Sequence, residues 1–102
     1  MKTLHTKEVD SLFNAILSLE SLDECYSFFE DVCTIKEILD IAQRLKAARM
    51  LKGGSNYVEV CAETGMSSAT ISRVSRCLEY GSGGYELAIN RLDEKEKKSD
   101  GE

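Results

Sequence analysis

Small hydroxyl side chains followed by two arginines stand out in the segment "CAETGMSSATISRVSRCLEYG", residues 61–81. Serine and threonine hydroxyls near the start of a helix, together with the free backbone N–H groups there, can bind phosphate oxygens. An arginine can donate to O6 and N7 of one guanine, and an alanine or threonine methyl group can contact the methyl group of thymine. The candidate DNA-contacting residues are Ser67, Ser68, Ala69, Thr70, Ser72, Arg73 and Arg76.

Such side chains reach a DNA groove only if a turn sets their helix against another helix. A helix-turn-helix joins its two helices at a steep angle through three or four residues, often with a glycine. Gly65 suits that turn, because glycine adopts the left-handed backbone conformation without a steric penalty. Small or apolar side chains lie where the two helices must touch, namely at Val60, Cys61, Met66, Ile71 and Val74. The pattern predicts a helix-turn-helix over about residues 56–80; the alternative is an antiparallel helix pair whose small residues only permit close packing.

Two capping boxes predict where the preceding helices begin. Ser21 with Glu24, and Thr34 with Glu37, have the spacing at which each side chain can bond a backbone N–H at the other residue. Apolar residues recur at helical spacing after each box, and the chain contains no proline. We therefore expect an all-α fold. The predicted helices cover about residues 6–20, 21–32, 34–52, 56–63, 68–80 and 85–92.

The long helix over residues 34–52 has an apolar stripe that we expect to be buried. The stripe consists of Ile35, Ile38, Leu39, Ala42, Leu45 and Leu51. The basic residues Lys36, Arg44, Arg49 and Lys52 are expected mainly on other faces of this helix.

The net charge of −5 is unusual for a nucleic-acid-binding protein, but the charge is unevenly distributed. Residues 1–33 carry two basic and seven acidic side chains, a net charge of −5. Residues 34–54 carry five basic and two acidic side chains, a net charge of +3. Positive charge is therefore concentrated directly before the candidate DNA-contacting segment.

Neither a metal site nor an enzyme is indicated by the reactive residues. The four cysteines form no C-x-x-C pair, and the one histidine, His5, is near a terminus. No nucleophile has a base at a recognisable spacing, so we expect no metal, no catalytic residue and no enzymatic activity. The chain has no signal peptide and no apolar run long enough to span a membrane, so we expect a cytoplasmic protein with reduced cysteines.

The length of 102 residues predicts one domain with a thin core. A chain of this size buries only about 60–65% of the surface that it exposes when unfolded, and oligomerisation is the usual remedy. We expect a single helical domain over residues 1–92. The remainder, residues 93–102, alternates in charge without an apolar face and is predicted to be disordered.

The motif "GMSSATISRVSRCLE", residues 65–79, closely resembles the DNA-reading segment of the bacterial tryptophan repressor (Trp repressor) family, in which G-x-x-x-A-T-I-T-R-x-S-x-x-L recurs. The upstream stretch "TIKEILDIAQRLKAARMLKGG" is similar to the long helix that precedes it in that family. The resemblance covers about residues 34–79 and is greatest to the small Trp-repressor-like proteins of the YerC/YecD type. It implies a Trp-repressor-like helical bundle, an intertwined homodimer, whose two reading helices are set about one DNA turn apart and suit a palindromic operator.

The resemblance also implies a small-molecule site. In the repressor, tryptophan binds between two arginines, which correspond here to Arg44 and Arg73, with Thr34 near the start of the long helix. Where that family has a glycine directly after the second arginine, this chain has Val74, whose β-branched side chain would occupy space that the indole ring needs. We therefore predict no cofactor, while tryptophan or another small effector stays open.

Two functional hypotheses follow. The first is a sequence-specific, DNA-binding transcriptional regulator, a repressor that occupies a palindromic operator on double-stranded DNA as a homodimer. The alternative, which the acidic net charge favours, is a helical dimeric protein-interaction module without DNA binding.

Overall fold

The computed structural model describes residues 4–100, with side chains as far as residue 98. Helices are the only regular secondary structure in this part of the chain. The described residues form six helices, and the prediction of an all-α fold is confirmed. The helices are α1 (Lys7–Leu17), α2 (Leu22–Val32), α3 (Ile35–Lys52), α4 (Tyr57–Thr64), α5 (Ser68–Tyr80) and α6 (Gly84–Asp100). None of them is both long and apolar enough to cross a membrane.

Local capping explains most helix starts. Thr34 Oγ1 accepts from the Glu37 N–H at 3.1 Å, and Glu37 Oε1 accepts from the Thr34 N–H at 2.8 Å, so the predicted capping box before α3 is complete. Ser21 Oγ likewise accepts from the Glu24 N–H, but Glu24 bonds the N–H of Glu20 rather than that of Ser21. Each start is therefore encoded within four residues of the chain.

A further capping box, which the sequence analysis did not identify, starts α4. Asn56 Oδ1 accepts from the Glu59 N–H at 2.9 Å, and Glu59 Oε1 accepts from the Asn56 N–H at 2.8 Å. The Asn-x-x-Glu spacing is the signal that could have revealed it. The predicted helix start at Asn56 is displaced by one residue, because Asn56 is the cap and Tyr57 the first helical residue.

The chain divides into two compact units, whose described residues are 4–38 and 39–100. The division does not test whether residues 1–92 fold as a single domain, so that expectation stays a prediction. In the first unit, α1 and α2 contain no buried residue within one chain. Leu17 is 80% exposed and Leu22 is 74% exposed, although both belong to helices with a distinct apolar side.

The predicted burial of the α3 stripe is partly wrong for a single chain. Ile35 is 75% exposed, and Leu39 and Ala42 are also exposed, whereas Ile38, Leu45 and Leu51 are half-buried. The fully buried residues of α3 are instead Ala47 and Ala48. Their methyl side chains let neighbouring helices approach closely, which larger residues at these positions would prevent.

The core of the second unit draws on all four of its helices. It consists of Ala47 and Ala48 from α3, Val60 from α4, Ile71 and Val74 from α5, and Ile89 from α6. Burial of each larger aliphatic side chain contributes about 1.5–3 kcal/mol. Half-buried Met66, Leu78 and Tyr85 pack around this cluster.

Of the tail predicted to be disordered, residues 93–100 are helical in the structure, and residues 101–102 lie outside the described residues. Helix α6 continues past Leu92 to Asp100. The Arg49 guanidinium of α3 donates to Asp93 Oδ1 at 2.8 Å and to both carboxylate oxygens of Glu96, at 2.9 and 3.2 Å. This hydrogen bonding lowers the pKa of Glu96 below its ordinary value and raises that of Arg49. These ion pairs hold the charged segment against α3, although the segment has no apolar face of its own.

We expect Arg49→Met to unwind residues 93–100 while leaving the core intact, because it removes the only ion-pair partner that the described residues offer to Asp93 and Glu96. Backbone carbon chemical shifts of these residues measure the change directly. Lys46→Met is the matched control, because it removes an ion pair between α3 and Glu63 instead. Since the pKa of Glu96 is lowered by folding, the wild-type segment should also loosen as pH falls through that pKa, and Arg49→Met should lack this dependence.

Candidate nucleic-acid interface

The turn between α4 and α5 is held by its own backbone and one threonine. Gly65 has φ +74°, in the left-handed region, and its N–H donates to the Cys61 carbonyl at 2.8 Å. Thr64 Oγ1 donates to the Val60 carbonyl at 2.7 Å and accepts from the Met66 N–H at 3.1 Å. The predicted left-handed glycine is confirmed, and three residues, 65–67, join α4 to α5, as the predicted helix-turn-helix requires.

Helix α3 supports this turn through two side chains. Gln43 Nε2 donates to the Thr64 carbonyl at 3.3 Å, which satisfies a carbonyl left free at the end of α4. Lys46 Nζ lies 3.3 Å from Glu63 Oε2, one residue earlier. The long helix therefore positions the turn as well as contributing to the core.

The start of α5 is fixed by the hydroxyls that the sequence assigned to DNA. Ser67 is the N-cap, and its Oγ accepts from the Thr70 N–H at 3.2 Å. Ser67 Oγ and Thr70 Oγ1 also share a hydrogen bond of 2.9 Å. Both residues thus shape the helix start, while Ser68 and Ala69 project from its first turn and are exposed.

The two arginines of α5 are exposed on one side of the helix. Ala69, Arg73 and Arg76 are spaced at i, i+4 and i+7, so they lie along the same side, whereas Ile71 and Val74 are buried. Within residues 4–100 neither arginine forms an ion pair, so both guanidinium groups are available to an anion. Ser72, like Thr70, is half-buried.

Two of the five basic residues of α3 form ion pairs with other helices. Arg49 is paired with Asp93 and Glu96, and Lys46 is paired with Glu63. The segment whose net charge of +3 supported DNA binding therefore offers less free positive charge than its composition suggests. The positive charge available for DNA binding is therefore mainly that of Arg73 and Arg76 in α5.

A small cavity lies beside α5 in the second unit. Its volume is about 210 Å³, and its walls are Arg44, Thr70, Arg73, Val74, Cys77 and Tyr85. The two arginines suggested as effector ligands thus line one space, but Thr34 is not among its walls and its hydroxyl caps α3. Tyr85 belongs to no motif that pointed to this site in the sequence.

Tyr85 is the residue of this cavity whose electrostatics are most altered. Burial raises the pKa of its phenol above the ordinary value, and Cys77 adds to the rise. Arg44 and Arg73 act in the opposite direction and lower that pKa, because a positive charge favours the phenolate. The phenol is therefore close enough to both guanidinium groups to sense their charge. Among the described residues, no group of His, Cys, Asp and Glu side chains could hold a metal ion.

The chain is thus an all-helical protein in which a glycine turn joins α4 to the exposed α5 helix. Comparisons with known proteins identify its family. The sequence pattern of the family described as Trp repressor protein matches residues 7–93. The uncharacterized protein YerC of Bacillus subtilis is 57% identical over 96 residues, covering 94% of this chain and 92% of that protein.

Two solved structures resemble this one along nearly its whole length. A TrpR-like protein from Eubacterium eligens is 52% identical with a TM-score of 0.88, covering 91% of this chain and 96% of that one. A putative Trp repressor from Staphylococcus aureus is 44% identical with a TM-score of 0.86, covering 90% of this chain and 92% of that one. The chain belongs to the Trp repressor family, which comprises regulators rather than enzymes.

We expect Gly65→Ala to lower the free energy of unfolding by about 1–2 kcal/mol, the cost of a side chain in the left-handed region. A Cβ at this position would meet no atom within 4 Å, so the cost is conformational rather than steric. Urea denaturation measures it. The control is Gly84→Ala, where the space is equally open but φ is not positive, and it should be neutral or stabilising by about 0.4–1 kcal/mol. Equal effects of the two substitutions would contradict the role assigned to Gly65.

Proposed function

We propose that this protein is a sequence-specific DNA-binding transcriptional regulator of the cytoplasm, a repressor that occupies a palindromic operator as a homodimer. The observation that supports this most directly is the exposed side of α5, where Arg73 and Arg76 have no ion-pair partner in the described chain. The hydrogen-bonded turn at Gly65, which precedes α5, supports the same function, as does membership of the Trp repressor family.

Each part of the exposed face has a chemical role in this proposal. The N-terminus of α5 presents free backbone N–H groups and the Ser68 hydroxyl to phosphate oxygens. Ala69 leaves room for the helix to approach the groove and can contact a thymine methyl group. Arg73 and Arg76 lie further along the same side and donate to guanine or phosphate oxygens. The hydroxyls of Ser67 and Thr70 fix the start of α5. Ser72, which is half-buried, lies at the edge of the proposed DNA contact.

Dimer formation is supported by the apolar residues that one chain leaves uncovered. α1 and α2 contain no buried residue, yet Phe13, Leu17, Leu22 and Val32 are large, apolar and exposed. A monomeric soluble protein rarely exposes an extensive apolar surface, because covering it releases about 25 cal/mol for each Å². A second copy would cover these helices and present two α5 helices to one duplex.

The acidic net charge favours one alternative, a helical dimer that binds a protein partner without DNA. Seven of the acidic side chains lie in residues 1–33, away in sequence from the α5 helix. Replacing Arg73 and Arg76 with alanine distinguishes the two hypotheses. A protein partner bound by the N-terminal segment does not need these arginines, whereas DNA does.

We expect Arg73→Ala combined with Arg76→Ala to reduce affinity for operator DNA by at least about 30-fold. Each arginine that contacts a base pair contributes about 1–3 kcal/mol of discrimination. Selection of bound genomic fragments, followed by gel shift at several salt concentrations, measures both affinity and the number of phosphate contacts. If the arginines contact phosphates instead, the slope of log K against log salt should fall by about one for each.

The matched control is Arg91→Ala combined with Lys95→Ala, which removes the same charge from exposed positions of α6. This pair should leave DNA affinity within about threefold of the wild type, because a surface charge outside the contact acts only through a screened field. A wild-type protein that retains no fragment even at low salt would contradict DNA binding.

We expect the wild-type protein to sediment at twice the mass of one chain, and Leu17→Asp to shift it to the monomer. A carboxylate at this exposed apolar position would be buried without a partner on dimer formation, which costs several kcal/mol. The control is Ser11→Asp, at an exposed polar position of the same helix. Sedimentation as a monomer at micromolar concentration, with DNA binding intact, would contradict the dimeric mode of action.

A further inference from the structure

The cavity beside α5 shares its walls with the proposed DNA-contacting face. Thr70 and Arg73 line the cavity, and both are among the candidate DNA-contacting residues. Thr70 also bonds the N-cap residue Ser67 at the start of α5. Whatever fills this cavity therefore bears on the position of the helix that carries the arginines.

Tyr85 supplies an aromatic ring to this cavity from another helix. It lies in the first turn of α6 and packs against the core cluster of the second unit. It lines the cavity together with Arg44 of α3 and Arg73 of α5. Burial raises the pKa of its phenol, and the two arginines lower it. One side chain thus links α6 to α3 and α5.

The contacts of α6 with the rest of the second unit support this placement of Tyr85. Ile89, one helical turn after Tyr85, is only 2% exposed in the core. Further along, Asp93 and Glu96 are bound by the Arg49 guanidinium. The ring is therefore supplied to the cavity by the chain itself, as an intramolecular group.

The space that Tyr85 and its neighbours leave is small for an effector of tryptophan's size. Its volume of about 210 Å³ is below the range of about 300–1,000 Å³ that is usual for small-molecule pockets. Val74 forms part of the wall and is itself a core residue with 3% exposure, so it does not move aside without opening the core. Tryptophan, the effector that the family resemblance implies, would have to share this space with the side chains of Tyr85 and Val74.

We propose that Tyr85 acts as an internal aromatic ligand of this cavity, which holds α5 in its DNA-contacting position and makes DNA binding independent of any small-molecule effector. The proposal rests on the proposed DNA-binding function. Tyr85 is a positioning residue in it, acting through α5 rather than by touching DNA.

The test removes the ring and returns it as a free molecule. Tyr85→Ala should lower operator affinity by about tenfold, a typical magnitude of coupling between sites, and should lower the melting temperature. Millimolar p-cresol, which is the free tyrosine side chain, should restore part of both in this variant, because a ligand of the native state raises its stability. Neither p-cresol nor tryptophan should change the affinity or melting temperature of the wild type.

Two tyrosine variants serve as controls. Tyr80→Ala removes a ring that is 81% exposed and should have little effect on DNA affinity and no response to p-cresol. Tyr85→Phe keeps the ring without the hydroxyl and should bind DNA nearly as the wild type does. If Tyr85→Ala does not fold, Tyr85→Leu keeps apolar volume without the aromatic ring and should show the same loss of operator affinity.

The outcomes separate this proposal from the proposed function. A wild-type protein whose operator affinity rises tenfold with tryptophan would overturn the internal ligand, as would a folded Tyr85→Ala or Tyr85→Leu variant with wild-type affinity. The same holds if p-cresol leaves the melting temperature of Tyr85→Ala unchanged. If no DNA is bound by the wild type while p-cresol stabilises Tyr85→Ala alone, the cavity assignment holds and the DNA-binding proposal fails.

Discussion

The burial of one side of α5 is the constraint on which the rest of the structure depends. Ile71 and Val74 enter the core, and together they contribute several kcal/mol at about 1.5–3 kcal/mol for each side chain. Rotation of α5 about its axis would bring them into water and is thereby prevented. Because Arg73 and Arg76 lie on another side of the same helix, their exposure follows from that burial and not from any contact of their own.

Helix α3 gives this arrangement its support. Ala47 and Ala48 are small enough to let α4, α5 and α6 contribute to one core, and Gln43 bonds the last carbonyl of α4. Two of its five basic residues, Lys46 and Arg49, are paired with acidic residues of α4 and α6. Part of the positive charge of α3 is therefore neutralised within the protein, so the proposed DNA contact rests mainly on Arg73 and Arg76 of α5.

Stability and function are connected through the surfaces that a single chain leaves uncovered. The second unit has a core of six residues, whereas α1 and α2 bury none. An assembly that covers these helices would add the apolar burial that so short a chain lacks and would fix the spacing of two α5 helices. The same apolar contacts would then provide stability and would also set the distance between the two operator half-sites that the α5 helices can contact.

The sequence by itself determined the features that depend on neighbours within about four residues. The capping hydrogen bonds of Ser21 and Thr34, the left-handed Gly65 and the amphipathic pattern of α5 were all predicted, because each follows from the local backbone and helical spacing. The family was likewise recognised from a continuous motif, and the comparisons confirm it.

Only the tertiary structure decided which distant residues meet. The Arg49 ion pairs cross 44 and 47 residues of sequence and extend α6 through a segment that composition alone predicted to be disordered. Tyr85 joins Arg44 and Arg73 around one cavity, while Thr34 instead caps α3 and Ile35 stays exposed within one chain. Periodicity shows that a side chain needs a partner, but the packing of whole helices selects that partner.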